Sequence, residues 1–338
     1  MSDLIVFFFL AASILAYTVT GGADFGVGIV ERFAPKKERD DLRRLADKAI
    51  APIWEANHMW IVLALVITFV AYPHLHVAIT TSLHVPLLIM LVGIILRGTA
   101  FTFRYYDTDD DPLSRGLWTV LFRGGSLLVP FMFGIMATAL QRGTVSQSVG
   151  TRTVWELYFA PWLGWLPLFA GAFVVCLFAW LAVAFLLGEV PQVQRAHWLS
   201  RFRRWTVALM GSGLAVTLAA WLEAMPLLDN GLFTLGRVFF VGVASLAMAL
   251  LYSGRLLHQI WLARAFVGLV VTCILAGYFG GAYPVAMRFT QGEVLTFADA
   301  QAPSATLDAM ALVLVLSSIV ILPALAYLYK IFKSHSES

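Results

Sequence analysis

Nine stretches long and apolar enough to cross a bilayer alternate with short polar segments along this chain. They fall at residues 4–31, 50–72, 77–103, 117–140, 162–187, 205–224, 233–253, 263–284 and 306–329, and each approaches or exceeds the roughly 20 apolar residues a helix needs to span the hydrocarbon core. The pattern predicts an all-α integral membrane protein of about nine transmembrane helices, organised as one polytopic domain over residues 1–338. The first and third stretches are longer than one crossing requires, which calls for tilt or a break at glycine. Pro35, Pro73, Pro112, Pro191 and the pair Asp229-Asn230 mark the connections, because these residues stop helices and favour turns.

Composition agrees with the pattern: 60% of the residues are hydrophobic and 13% charged, with a mean hydropathy of +0.82, outside the range of soluble domains. A formal net charge of +3, with no basic tract interleaved with aromatics, argues against a nucleic-acid partner. Only Asp3 is charged before the first apolar run, so that run is expected to be a span and not a cleaved leader. Cys176 and Cys273 lie in mid-stretch without CxxC spacing and are expected in the core. Trp54, Trp60, Trp155, Trp162, Trp165, Trp198, Trp205 and Trp221 fall near stretch ends, where tryptophans anchor helices at the interface.

Charge position predicts orientation. The first, third, fifth and seventh connections and the C-terminal tail hold 17 of the Lys and Arg residues; the opposite side holds Arg142, Arg152, Arg237 and Arg288, and Arg97 and Arg123 lie inside spans. By the positive-inside rule the odd connections and the C-terminus are cytoplasmic and the N-terminus is outside. The first connection, "ERFAPKKERDDLRRLADKAI", also carries five acids and is expected to form an amphipathic helix at the cytoplasmic surface.

Ionisable residues inside spans are costly, about 2.5 to 3.5 kcal/mol each on insertion scales, and are candidates for function. Asp24, Glu55, Arg97, Arg123 and Glu223 stand out. All but Glu223 fall at one depth near the predicted cytoplasmic face, with Asn57 beside them. One reading is a buried network of two acids and two arginines that pins the first four spans. The other is a proton path through Asp24 and Glu55, since burial raises a carboxylate pKa and a nearby arginine lowers it again. His58, one turn beyond Glu55, is a relay candidate by its ordinary pKa near 6.5. It is also, with Met59 following, the one well-placed candidate for haem ligation in that leaflet.

Gly22 and Gly26 form a GxxxG face for close helix approach, and Gly277 and Gly281 repeat the spacing. A second use for the glycines is a loosened helix at Gly21 and Gly22, as in transporters with broken helices. A dinucleotide fingerprint is excluded because "GGADFGVG" follows a membrane span and has the wrong spacing.

The blocks "TGGADFGVGIVERF", "IAPIWEANHMWIVLALVITFVAYP", "ILRGTAFTFR", "GGSLLVPFMFGIMATAL" and "ADAQAPSATLDAMALVLVLSSIVILPALAYLY" resemble, in order and spacing, subunit II of the cytochrome bd quinol oxidases. The resemblance implies two four-helix bundles (residues 4–140 and 162–284) and a peripheral helix (306–329). It also implies pairing with a homologous subunit I that carries the quinol site and haems b558, b595 and d, with O2 reduced to water. This chain would then hold no haem, support its partner and take up cytoplasmic protons through positions matching Asp24 and Glu55. Some members hold a structural quinone or lipid here, and a small accessory membrane subunit and the quinol pool are further partners of such complexes. The expected location is the inner (plasma) membrane of a bacterium or archaeon. Departures from the family pattern are Gly21 for Asp, Glu55 for Asp, Ala56 for Gly, His58 for Glu or Gln, and Thr102 for an acid. The rival class is a secondary transporter with a broken first helix and a polar site at Asp24, Glu55 and Arg97.

Overall fold

The computed structural model describes residues 1–50, 54–106, 112–146, 153–223, 235–254 and 259–334. The expected turn at Asp229-Asn230, and Arg152 and Arg255, lie outside the described residues. Lipid offers no partner for backbone N–H and C=O groups, so apolar stretches of this length close their hydrogen bonds internally as helices. The long helices are α1 (Ser2–Phe33), α2 (Arg39–Ile50), α3 (Trp54–Ala71), α4 (Pro73–Ser82), α5 (His84–Tyr106) and α6 (Pro112–Arg142). A one-turn α7 (Val154–Tyr158) precedes α8 (Trp165–Leu186), α9 (Arg195–Leu222), α10 (Leu235–Tyr252), α11 (Ile260–Ala282) and α12 (Ser304–Ser334).

Seven of these helices reach spanning length and hydropathy, α3 and α4 do so only together as a pair bent by 114°, and Phe239–Tyr252 of α10 is a shorter apolar helix. The third apolar stretch is therefore not one helix from residue 77. Its start belongs to α4, which Pro73 opens at the first helical position after a non-helical Tyr72, and α5 starts at His84 with Pro86 in its first turn, where a missing N–H is tolerated. No glycine makes that break. The first stretch holds no break either: α1 is continuous through Gly21 and Gly22.

α1 is the central element, packed on α3, α6, α8 and α12. Together α1, α3, α5 and α6 form one helical group, and α8 to α11 a second, joined where α8 meets α1 and α6. The join is tight. A Cβ on Gly26 would lie 1.9 Å from the carbonyl oxygen of Phe178, and one on Gly134 would lie 2.2 Å from that of Ala170. At Gly277 a Cβ would meet nothing within 4 Å, so the second GxxxG spacing carries no such approach at that residue in this chain. The main core gathers Tyr17, Phe25, Phe178, Trp180, Phe202 and Val267 from both groups. Trp180 Nε1 donates to Thr206 Oγ1 at 3.0 Å, and Tyr278 donates from α11 to the Ala137 carbonyl of α6 at 2.8 Å.

A second core lies where the N-terminal half of α1 meets α3, α12 and an antiparallel hairpin of β1 (Val285–Arg288) and β2 (Val294–Thr296). At the opposite end, α2 forms the amphipathic helix expected of the first connection, burying Leu42 while Arg44 stays exposed. Glu38 there pairs with Arg201 and accepts from His197 at 3.3 Å, tying the first connection to α9. Trp162 and Trp198 are buried in cores and are not interface anchors, whereas Trp155, Trp165 and Trp221 are exposed. Cys176 is partly buried and Cys273 buried; both are free thiols.

Candidate functional site: a charged seam between α1, α5 and α6

The Lys- and Arg-rich half of the first helical group holds a ladder of buried charges. Asp24 Oδ1 of α1 accepts from Arg97 Nη2 of α5, and both side chains are 1% exposed. Two turns on, Glu31 (2% exposed) accepts from Arg104 Nη2 at 3.0 Å and from Arg123 Nη2 of α6 at 2.9 Å. Both α1–α5 pairs have a sequence separation of 73, so the two helices run parallel in register. The arginines also lie over aromatic faces, Arg97 at 5.0 Å from the Phe25 ring centroid and Arg104 at 4.4 Å from that of Phe122, which offsets part of the cost of desolvating a guanidinium. Arg43 of α2 donates to the Arg104 carbonyl at 2.7 Å, closing the end of the ladder.

Small residues make the ladder fit. A Cβ on Gly125 would stand 2.6 Å from the Gly93 carbonyl oxygen and 2.8 Å from Arg97 Cβ, and one on Gly28 would overlap the Ser126 side chain at 2.2 Å. Close backbones bring short acids within reach of long arginines.

The expected group of Asp24, Glu55, Arg97 and Arg123 is divided in the fold. Arg97 meets Asp24, but Arg123 turns to Glu31, and Glu55 is exposed in the first turn of α3. The reason is axial: Asp24 and Glu31 are seven residues apart on one face of α1, matching the seven between Arg97 and Arg104, which pairs charges level by level. Asn57 is buried. His58 is partly buried, its ring 6.1 Å from Tyr17 and 5.8 Å from Phe25 between centroids. Glu223 belongs to the other end, where Arg142 donates to it at 2.7 Å and the Leu166 N–H at 3.3 Å.

Glu31 and Arg104 are members of the ladder that the apolar pattern alone assigns to stretch ends. The shared seven-residue spacing was the signal available for them. A transporter site at Asp24, Glu55 and Arg97 does not form: α1 is unbroken, Asp24 and Arg97 are engaged with each other, and Glu55 lies apart on the exposed surface.

Among the described residues there is no group of three or more His, Cys, Asp or Glu able to hold a metal ion. His58 and Met59 are adjacent on a helix and project about 100° apart, with Met59 on the exposed side, so they do not fit as two axial ligands of one haem.

Fold and seam define a polytopic α-helical membrane protein whose interior holds level-by-level ion pairs between parallel helices. The family model for cytochrome bd terminal oxidase subunit II matches residues 2–332, and the chain belongs to that family. Among curated relatives, it is 32% identical over 137 residues to cytochrome bd ubiquinol oxidase subunit 2 of Bacillus subtilis (strain 168), covering 40% of this chain and 39% of that protein. It is 27% identical over 130 residues to cytochrome bd-I ubiquinol oxidase subunit 2 of Escherichia coli (strain K12), covering 38% and 33%. The aligned stretches thus span between a third and two fifths of these relatives. Its fold is similar to a chain of the bd oxidase from Geobacillus thermodenitrificans, with a TM-score of 0.75, 18% identity and 98% of each chain covered.

Proposed function

We propose that this chain is the haem-free second subunit of a bd-type quinol oxidase, which supports a haem-bearing subunit I and supplies part of the route by which cytoplasmic protons reach it. Quinol oxidation and O2 reduction to water take place on haems b558, b595 and d of that partner. Proton uptake from one side coupled to quinol oxidation at the other separates charge without a pump. The expected setting is a bacterial or archaeal plasma membrane with the Lys- and Arg-rich end inside. A structural quinone or lipid and an accessory subunit are expectations from the family.

One observation carries the proton reading. Asp24, buried in a membrane-crossing helix, uses one carboxylate oxygen for Arg97 while no protein donor reaches the other, and His58 lies beside the same stretch of α1. The second oxygen is an acceptor position that a proton carrier could use. Glu55 fits as the outer member, because an exposed carboxylate at the end of α3 is reachable from water or from a partner. Glu31, between two guanidiniums, fits a structural part.

The test is Glu55→Gln in the assembled oxidase. Slower turnover and proton uptake are expected with haem content unchanged; wild-type rates would remove Glu55 from the route. Loss of assembly would make it a structural residue instead.

A further inference from the structure

Gly21 has a use that helix packing does not explain. A Cβ there would lie 2.8 Å from Cε2 and 3.0 Å from Cδ2 of Tyr17, so the phenol rests against α1 in space that only glycine leaves open, one turn nearer Asp24 than its own Cα. Asp24 is seven residues beyond Tyr17, two turns and about 10 Å along the axis, and helical side chains lean toward the N-terminus, which brings its carboxylate back toward the phenol.

Tyr17 is 3% exposed, and among the described residues its hydroxyl has no hydrogen-bond partner; neither has Asp24 Oδ2. The ring is enclosed by Phe133, at 5.6 Å between centroids, and by His58. Buried polar atoms are satisfied by protein or by internal water, and a water molecule that has two or more polar partners is retained even among apolar side chains. Tyr17, Gly21 and Asp24 share one face of α1, with the two unpartnered atoms on residues about two turns apart along it.

We propose that Tyr17 and Asp24 bind an internal water molecule, which donates to Asp24 Oδ2 and is held on its other side by the Tyr17 hydroxyl. The ligand is water, and Tyr17 is a positioning residue: it gives the otherwise unreached oxygen of Asp24 an exchangeable proton facing His58. This rests on the proton reading of Asp24. It also explains the glycine at position 21, since a larger residue would displace the ring.

Three readouts on the assembled oxidase test it. A high-resolution density map of the wild-type complex is expected to show an ordered water within hydrogen-bond distance of both atoms. Tyr17→Phe, which removes only the hydroxyl, is expected to lose that water, slow single-turnover proton uptake by about tenfold or more and change the solvent deuterium isotope effect. Gly21→Ala should slow uptake similarly and add little to Tyr17→Phe, as residues sharing one contact are non-additive. Absence of the water in the wild-type map overturns the proposal, whether or not the variants assemble. So do wild-type kinetics in Tyr17→Phe when Asp24→Asn is slow, an outcome that leaves Asp24 its role. Wild-type kinetics in Asp24→Asn overturn both.

Discussion

Glu31 sits between Arg104 and Arg123 with almost none of its side chain exposed, and removing one partner of such a group strands the others in an apolar interior. Breaking a buried pair costs about 3–5 kcal/mol, so Glu31→Ala is expected to lower the thermal unfolding temperature of the purified complex markedly. Glu31→Gln, which keeps hydrogen-bond acceptance, should recover part of the loss. Turnover per intact complex should change little in either variant, in contrast to Glu55→Gln. Equal turnover losses at Glu31 and Glu55 would show that both acids lie on one route. Asp24 and Arg97 were legible in the sequence as charges inside apolar runs. Glu31 was not, because it ends its run and reads as the first residue of a charged connection; only the fold shows that α1 continues past it to Phe33. Arg104 was hidden for the same reason.

At the scale of the element, α1 does two jobs with one face pattern. Its glycines admit α8 and its acids meet α5 and α6. Gly26→Ala would drive a Cβ to within 1.9 Å of a backbone oxygen of α8, which no side-chain rotation relieves. A strong loss of assembled complex is expected, measured as haem co-purified per tagged chain. Gly277→Ala is the matched control: it meets nothing within 4 Å and, inside this chain, should fall within about 0.5 kcal/mol of wild type. An equal loss at both would locate the glycine requirement in the partner interface. The sequence made the two GxxxG spacings look equivalent, because spacing records which residues share a face but not which neighbour comes to it. The helical class was readable, since length and hydropathy are local properties, but the count of nine was only approximate: among the described residues seven helices reach spanning length and hydropathy, and α3 with α4 adds at most an eighth. The break at Leu83 between α4 and α5 was not readable, because it falls inside a stretch that reads as one crossing; the 114° bend at Tyr72 lies where Pro73 marks a connection.

At the scale of the whole molecule, the outward faces of α3, α5 and α12 are apolar, with Phe69, Leu88, Ile95, Ile319 and Val320 exposed, as a lipid or a membrane partner requires. The parallel register of α1 and α5 agrees with chain crossings in alternate directions. The positive-inside rule then predicts the side of each connection. A cysteine placed at Val193, which is 95% exposed, should react with a membrane-impermeant maleimide only after the cells are opened, and one at the exposed Glu293 should react in intact cells. The reverse pattern would invert the topology and place the charged seam on the outer side. The partner was readable only through family resemblance, because a second subunit's chemistry is written in that subunit's own sequence.

The central claim, that this chain works as one subunit of a haem-bearing oxidase, is tested most directly by purifying it through a tag in mild detergent and recording the reduced-minus-oxidised absorption spectrum. A second membrane chain and the bands of b- and d-type haem are expected in the same fraction. A colourless fraction containing this chain alone, folded and stable, would contradict it.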